Sequence, residues 1–416
     1  MVPNENPLSD VVACQYERWS YPAPIEDLDA WLKERHEIFD PSINHRLLWP
    51  DRDYRGDVDI LIAGCGTNQA AVFAYKNRGA RVLGIDVSEA SLAHEAHLKK
   101  KYDLSNLELV RLPIEAVASL GRDFDLVVST GVLHHMDDPA VGMKALASCL
   151  RSDGVAGIML YARYGRVGVE ALQSVFRSLG LRQDEQSLAL VKETLGLLPR
   201  EHLVQPYFPI AADLQFDAGL VDTFLHGRDR SYSVADCLAL VATAGLVFQG
   251  WVSHDCYYPE MFAPLTSTVY AALNRLPEPE LWAAMERLQT QNACHTFMAC
   301  RSERSRRQYS IDFSGREHLD YIPEFRHLVR VESDHVVSFR GRIPLNQAQA
   351  FFLREVNGSR SISELVSRAV AAGIFKNRTD AEAFARDLFR SLWRLALMAF
   401  NLRRVPGSQS GTASIA

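Results

Sequence analysis

The chain has 416 residues, of which 47% are hydrophobic and 23% are charged. This composition is typical of a globular protein. The length suits one catalytic domain with an appendage, because single cores rarely grow beyond about 250–300 residues. A net charge of −6 provides no overall attraction for a polyanion, so we expect nucleic acid to be an unlikely partner.

Cysteine usage and hydropathy bear on compartment and metal content. The seven cysteines are scattered without a C-x-x-C pair, and no apolar run approaches the 18 residues needed to span a bilayer. The first residues lack the basic-then-apolar pattern of a secretion signal. We therefore expect a reduced, cytoplasmic protein with no membrane segment and no metal site. The oligomeric state stays open, and a homodimer is one alternative.

The predicted elements begin with a helical segment rich in aromatic residues. We assign residues 1–55 to an N-terminal cap or lid, interrupted by Pro22 and Pro24. Short apolar runs then alternate with amphipathic stretches, and strands are predicted at 58–63, 81–85, 107–112, 124–130 and 155–161. Alternation of apolar strands with helices is typical of a parallel sheet covered on both faces. The fold class is therefore α/β.

Two further apolar runs, 245–253 and 293–301, complete a predicted seven-stranded sheet in a catalytic domain spanning 56–302. Insertions are predicted at about 163–232 and 254–290. The first follows the fifth strand, so it lies at the carboxyl edge of the sheet, where ligands bind in such folds. Residues 303–324 are predicted to be a linker, 325–405 a small module, and 406–416 a disordered tail.

A glycine turn after the first strand predicts a nucleotide site. Gly64 and Gly66 end that strand, and Asp86 ends the second. Glycine allows the backbone to turn tightly and a ligand to approach without a Cβ in the way, while an acid at the second strand can accept hydrogen bonds from ribose hydroxyls. Gln69 stands where a third glycine would complete a dinucleotide fingerprint, which argues against a pyrophosphate cofactor.

Four motifs resemble the class I S-adenosylmethionine-dependent methyltransferases over about residues 57–165. They are AGCGTN, GIDVS, FDLVVSTGVLHHMDDP and the LRSDG turn before VAGIMLY. The resemblance implies a Rossmann-like sheet with S-adenosylmethionine as cofactor. Many members bind the adenine amine with an acid where this chain has Pro113, which would leave that contact to backbone groups or to Glu115. The implied cofactor-binding residues are Gly64, Cys65, Gly66, Thr67, Asp86, Val87, Leu112, Pro113, Ile114, Thr130, Gly131 and Val132.

Methyl transfer from a sulfonium needs a base only if the acceptor must lose a proton. His134 and His135, just after the fourth strand, are candidate bases, and Tyr161 at the end of the fifth strand could orient a nucleophile. A His-His pair at this place is also common in members with unrelated acceptors, so a structural role for one of them is the alternative.

Acceptor contacts are predicted from three clusters of aromatic and basic residues. Simple domain packing, solvated charge, and arginines that cap the strand end are the alternatives. The predicted residues are Tyr16, Trp19 and Tyr21 in the cap, Arg163, Tyr164 and Arg166 after the fifth strand, and His226 and Tyr232 in the first insertion.

The C-terminal module carries PLN, a helix and then NGSRSISEL. This pattern resembles winged-helix domains that bind peptides, including precursor-recognition elements of peptide-modifying enzymes and the module of some bacterial protein-lysine methyltransferases. The leading hypothesis is therefore a methyltransferase with a protein or peptide acceptor. The alternatives are a small-molecule O- or N-methyltransferase with a structural module, and a non-catalytic cofactor-binding scaffold.

Overall fold

The computed structural model describes residues 10–338 and 341–402 and divides the chain into two units. The first unit contains the described residues up to Ser42 and the segment Arg55–Arg304, and the second contains Ile43–Tyr54 and the described residues from Ser305 onwards. The predicted disordered tail, 406–416, lies outside the described residues.

A seven-stranded sheet organises the first unit, in the order β3-β2-β1-β4-β5-β7-β6. The first five strands are parallel, and β7 runs antiparallel to both β5 and β6. This topology confirms the predicted Rossmann-like sheet. The strands are β1 (Asp59–Ala63), β2 (Arg81–Asp86), β3 (Leu107–Arg111), β4 (Phe124–Thr130), β5 (Leu150–Tyr161), β6 (Leu246–Trp251) and β7 (Cys294–Arg301).

Burial and local capping explain why these segments fold as they do. Every residue of β1 is buried, as expected for a strand covered by helices on both faces. Ser88 accepts the N–H of Ser91 (3.1 Å) and begins the helix after β2. β5 already begins at Leu150, because Leu150 pairs with Phe124 before a register shift, so LRSDG is part of a strand and not a separate turn.

Helices surround the sheet and build the insertions. No helix among the described residues combines the length and apolar character needed to cross a membrane. The helices are α1 (Val11–Arg18), α2 (Leu28–Glu34), α3 (Pro41–Leu48), α4 (Gln69–Lys76), α5 (Glu89–Lys101), α6 (Pro139–Ser148), α7 (Val167–Ser178), α8 (Glu185–Leu197), α9 (Asp217–Phe224), α10 (Val234–Thr243), α11 (Thr268–Leu273) and α12 (Glu278–Leu288).

The first insertion is an ordered helical layer with its own apolar cluster. Helices α7, α8 and α9 bury Phe176, Val191 and Phe224 against one another. This cluster fixes the positions of the polar residues on the same helices and loops, among them Asp213 and Asp222. The insertion can therefore present those side chains in defined places.

Among its described residues, the second unit contains two small sheets, three helices that follow residue 344, and most of α3. Strands β9 (Arg330–Glu332), β10 (His335–Ser338) and β11 (Gly341–Pro344) form one antiparallel sheet, and β8 (Ile322–Phe325) pairs with β12 (Met398–Asn401). The helices α13 (Gln347–Glu355), α14 (Ile362–Ala371) and α15 (Arg378–Arg394) supply most of a core that includes Phe352 and Phe389. The winged-helix interpretation stays a prediction.

The predicted boundaries of linker and cap differ from those of the structure. Most of the linker, from residue 305, belongs to the second unit, because Phe313, Leu319 and Tyr321 are buried in its core and β8 pairs with β12. The last part of the predicted cap, 43–54, also belongs there, since Arg46 donates to Glu324 (2.8 Å). The apolar residues of the predicted linker are widely spaced in a polar stretch, so no periodic hydrophobic pattern predicts a helix or strand there.

Candidate active site

A cavity of about 1030 Å³ opens at the carboxyl ends of β1, β2, β4 and β5 in the first unit. Its wall combines the glycine turn after β1, the ends of the neighbouring strands, residues of the N-terminal segment and residues of the first insertion. This is the crevice that the sheet order creates, because the connections from β1 and β4 leave the sheet on opposite sides at that point.

The glycine turn brings bare backbone to the cavity. Gly64 has a φ of 76° and Gly66 a φ of 57°, a region that residues with a side chain rarely adopt. A Cβ on Gly64 would lie 2.4 Å from a methyl carbon of Val132, and one on Gly66 would lie 2.9 Å from Cδ of Pro22. Both conformation and space therefore require glycine here.

Asp86 joins that turn to β2. One carboxylate oxygen accepts the N–H of Gly66 (2.8 Å) and the other accepts the N–H of Ser88 (2.9 Å). Burial raises the pKa of the carboxyl above its usual range. The carboxylate lines the cavity with acceptor capacity left over, as ribose recognition requires.

Glu37 and Gln69 form a polar wall that the sequence did not predict. Gln69 donates from its amide nitrogen to Glu37 (2.8 Å), and its amide oxygen accepts the hydroxyl of Thr130 (3.0 Å). All three residues line the cavity. In the sequence, Gln69 is notable only because it replaces the third glycine of a dinucleotide fingerprint. Glu37 belongs to no motif, because the loop between α2 and α3 meets α4 only in the folded chain.

The two neighbouring histidines have different environments. His135 lines the cavity, and its Nδ1 lies 2.8 Å from the carbonyl oxygen of Arg228. A carbonyl can only accept, so Nδ1 carries the proton and Nε2 of the neutral ring has a free lone pair. His134 is fully buried, and its Nδ1 accepts the N–H of Tyr161 (3.3 Å). Burial holds the pKa of His134 well below its usual value, so this ring stays neutral.

Asp222 on α9 holds two tyrosines at the cavity. Tyr16 donates to one carboxylate oxygen (2.9 Å) and Tyr161 donates to the other (3.2 Å). His226 accepts the N–H of Arg228 through Nδ1 (3.0 Å), which leaves its proton on Nε2, 3.4 Å from the Tyr16 hydroxyl. Tyr16 and Tyr161 line the cavity, whereas Asp222 is buried behind them, where burial raises its pKa.

Comparisons with known proteins agree with this geometry. Residues 61–156 match the model of a family described as "Methyltransferase domain", and they contain the glycine turn, Asp86 and the His pair. The structure of PKMT2 from Rickettsia typhi in complex with AdoHcy has the same fold, with a TM-score of 0.62, 14% identity, and coverage of 87% of this chain and 75% of that one. Residues 61–156 are therefore a methyltransferase domain.

Two curated relatives match parts of the chain. An uncharacterized protein of Synechococcus sp. is 27% identical over 250 residues, covering 58% of this chain and 60% of that protein. The ubiquinone biosynthesis O-methyltransferase of Acinetobacter baumannii is 33% identical over 138 residues, covering 32% of this chain and 58% of that protein. The match therefore spans about three fifths of the length of each relative.

Most of the predicted cofactor-binding residues reach the cavity. Thr67 and Pro113 are not on the wall; Thr67 is fully buried, and its hydroxyl donates to the carbonyl of Pro22 (2.8 Å). Glu115, the alternative partner for the adenine amine, does line the wall. The predicted residues on the wall are Gly64, Cys65, Gly66, Asp86, Val87, Leu112, Ile114, Thr130, Gly131 and Val132.

The predicted basic and aromatic acceptor residues after β5 lie elsewhere. Arg163 pairs with Asp236 (3.0 Å), and the hydroxyl of Tyr164 accepts a hydrogen bond from Arg287 (3.1 Å). Arg166 is fully buried and pairs with Asp229 (2.8 Å). Each of these side chains is bound to a partner from a distant part of the sequence and is absent from the cavity wall.

Of the remaining predicted acceptor residues, two line the cavity and three do not. Tyr16 and Tyr21 line the cavity, and Tyr21 donates to Asp213 (2.9 Å), which also lies on the wall. Trp19 instead donates to the carbonyl of Gln183 (3.2 Å). His226 and Tyr232 are buried and do not reach the wall, although His226 touches Tyr16 from behind.

Two groups among the described residues bring three metal-binding side chains close together: His134, His135 and Asp229, and His135, Asp222 and His226. Nδ1 of both His134 and His226 already accepts a backbone N–H, so Nε2 of each neutral ring carries a proton and cannot bind a cation. We therefore interpret these groups as a hydrogen-bond network.

Proposed function

We propose that this methyltransferase transfers a methyl group from S-adenosylmethionine to a protein or peptide acceptor, with the second unit assisting recognition. One observation carries the proposal. A single cavity is lined both by the glycine turn and Asp86, which we name the first wall, and by His135, Tyr16 and Tyr161, which we name the second wall. The first wall suits a nucleoside, and the second can orient a nucleophile and take up its proton.

The residues of the first wall fit S-adenosylmethionine. The carboxylate of Asp86 would accept hydrogen bonds from the ribose hydroxyls, and the backbone of Gly64 to Gly66 would lie along the chain that joins ribose to methionine. Leu112 and Ile114 offer apolar contact to a base beside β3. The bound cofactor would supply an electrophilic methyl group on a sulfonium.

The residues of the second wall would prepare the acceptor. Nε2 of His135 can accept a proton from an amine or hydroxyl, a role that typically contributes about 10²–10⁴-fold to a rate. Because Asp222 fixes the hydroxyls of Tyr16 and Tyr161, these groups can hold an acceptor in one orientation. Orientation and exclusion of water supply much of the acceleration in such a displacement.

Two features support a protein or peptide acceptor. The fold shared with PKMT2 extends over 87% of this chain and therefore well beyond the matched domain. The pattern of PLN and NGSRSISEL resembles peptide-binding winged-helix modules. A small-molecule acceptor is the second candidate, because the relatives at 33% identity are named as ubiquinone biosynthesis O-methyltransferases, although that match covers only 32% of this chain.

Methyl transfer into separated fractions of a cell lysate distinguishes these functions. The full-length protein is incubated with lysate and methyl-labelled S-adenosylmethionine, and the label is measured above 10 kDa and below 1 kDa. We expect label in the protein fraction above the level of lysate without added protein, and markedly less with the Asp86→Asn variant. Label only in the small-molecule fraction would favour the second candidate, and cofactor binding without label in either fraction would favour the scaffold.

Deleting the second unit would be a poor substitute for this experiment. Residues 43–54 belong to that unit and would lose their partners, among them Glu324 for Arg46 and the N–H of Leu402 for the carbonyl of Pro50 (2.7 Å). A loss of activity would then reflect damage near the N-terminus as readily as a loss of acceptor recognition.

A further inference from the structure

Glu37 is a carboxylate on the cavity wall that neither the sequence motifs nor the family resemblance assigns to any role. Its side chain is held by the amide nitrogen of Gln69 (2.8 Å), and the hydroxyl of Thr130 donates to the amide oxygen of the same glutamine (3.0 Å). Because a carboxylate can only accept, the amide nitrogen of Gln69 faces Glu37, and its amide oxygen is left to accept the hydroxyl of Thr130. The carboxylate is thus fixed beside the end of β4.

The order of the strands tells which part of the cofactor would meet this carboxylate. Asp86 ends β2 on one side of β1, and Thr130 ends β4 on the other side. A nucleoside whose ribose lies at Asp86 therefore extends its methionine portion across the end of β1 toward β4. That portion carries an α-ammonium group, a charge complementary to a fixed carboxylate.

We propose that Glu37, positioned by Gln69 and Thr130, is the counter-ion for the α-ammonium group of bound S-adenosylmethionine. This inference rests on the proposed function, since it requires the cofactor to bind in this cavity. Glu37 would then select cofactor forms that carry the amino group. Gln69, which breaks the dinucleotide fingerprint, has a positive role as the residue that orients Glu37.

The charges around Glu37 favour the binding of a cation. The carboxyls of Asp40 on its own segment and Glu95 on α5 both interact unfavourably with a charged Glu37. Arg35 and His36 are the neighbouring groups on its own segment and also line the cavity. Burial is the largest cause that raises the pKa of Glu37, to about 7. A bound ammonium would offset the cost of that buried charge.

Binding of two cofactor analogues by the full-length protein tests this role. S-adenosylmethionine and 5′-methylthioadenosine, which keeps the nucleoside and sulfur but lacks the amino acid, are titrated into wild type and Glu37→Gln by calorimetry at pH 7.5. A charge-assisted contact typically accounts for about 10–100-fold in affinity. We expect Glu37→Gln to weaken S-adenosylmethionine by that factor and to change methylthioadenosine less than about twofold.

The outcomes separate this inference from the proposed function. If wild type binds S-adenosylmethionine and the variant binds it within about threefold, Glu37 is not the counter-ion and the proposed function still stands. Equal weakening of both analogues would show that Glu37 acts only by supporting the wall, which also overturns the inference. If wild type binds neither analogue, the proposed function is wrong, and the inference, which depends on it, is wrong as well.

The pH dependence of binding gives a second readout. As pH falls below 7, Glu37 takes up a proton and loses its charge, so S-adenosylmethionine affinity of wild type should fall by about fivefold between pH 7 and 6. Asp40, Glu95 and His36 are unchanged in the Glu37→Gln variant, so a flat profile in that variant assigns the effect to Glu37. An equally steep profile in the variant would contradict the inference.

Discussion

At the scale of single residues, the site depends on which nitrogen of each histidine carries a proton. His135 donates through Nδ1 to a backbone carbonyl, whereas His134 accepts a backbone N–H through Nδ1. Adjacent rings therefore have opposite tautomers. His135 presents a lone pair from the cavity wall, and His134 buries an N–H that has no partner among the described residues.

Replacing His135 should affect methyl transfer and spare cofactor binding. We expect His135→Gln to lower the methyl-transfer rate by about 100-fold, because the proton acceptor is lost while the glycine turn and Asp86 are untouched. Initial rates and calorimetry with S-adenosylmethionine measure the two effects. His97→Gln, at an exposed position on α5, is the matched control. An unchanged rate in His135→Gln would exclude it as the base.

Sequence alone could predict the glycine turn and Asp86, because their spacing follows from the order of strand, turn, helix and strand. It could predict a histidine pair but not which member presents a lone pair to the cavity, since the deciding carbonyl belongs to Arg228 in the first insertion. It also could not place Arg163 or Arg166. Their partners, Asp236 and Asp229, are more than 60 residues away along the chain and are brought near only by tertiary packing.

At the scale of elements, α4 and α5 are joined by a buried carboxylate. Glu95 on α5 accepts the N–H groups of Ala70 and Ala71, both at 2.8 Å, in the first turn of α4. These N–H groups have no partner within the helix, so the contact satisfies them. It holds α4, and with it the glycine turn, against the sheet. The strands themselves were predictable because their apolar runs are continuous.

Burial of Glu95 makes stability depend on pH in a defined direction. Burial raises the pKa of Glu95 to about 8, above its ordinary value near 4.5, so the folded protein binds a proton that the unfolded chain has released. The free energy of unfolding should therefore fall as pH rises from about 5 to 8, by at most about 1.4 kcal/mol per unit for this group.

Urea unfolding of wild type and Glu95→Gln at pH 5, 6, 7 and 8 measures this dependence. The variant cannot titrate at this position, so we expect a shallower decline than in wild type. Glu108→Gln, an exposed position on β3, is the matched control and should keep the wild-type slope. Identical slopes in wild type and Glu95→Gln would show that Glu95 is ionised in the folded protein throughout this range.

At the scale of the whole molecule, the second unit is assembled from two segments separated by 250 residues of the first unit. Arg46 donates to Glu324 (2.8 Å) and to the carbonyl of Arg52 (2.7 Å), which ties the earlier segment to β8. Sequence reasoning assigned 43–54 to the cap, because continuity along the chain is a weak guide where a unit is discontinuous.

Loss of the ion pair between Arg46 and Glu324 should lower the stability of the second unit. We expect Arg46→Ala to lower the local stability of the unit by about 1–3 kcal/mol, because Glu324 is left half-buried without its cation. Hydrogen exchange of the α14 amides measures the effect. Arg55→Ala removes an exposed ion pair with Asp57 and should leave the exchange unchanged. Equal hydrogen-exchange rates of the α14 amides in Arg46→Ala and wild type would contradict the stabilising role of the Arg46–Glu324 ion pair.

The central claim is that a nucleoside binds where the glycine turn meets Asp86. Calorimetric titration of the full-length protein with S-adenosylmethionine tests it most directly, with Asp86→Asn as the variant and the exposed Asp123→Asn as its control. We predict one site per chain, affinity at least about tenfold weaker in Asp86→Asn, and no change in Asp123→Asn. Absence of binding to wild type, or equal affinity in Asp86→Asn, would contradict the account.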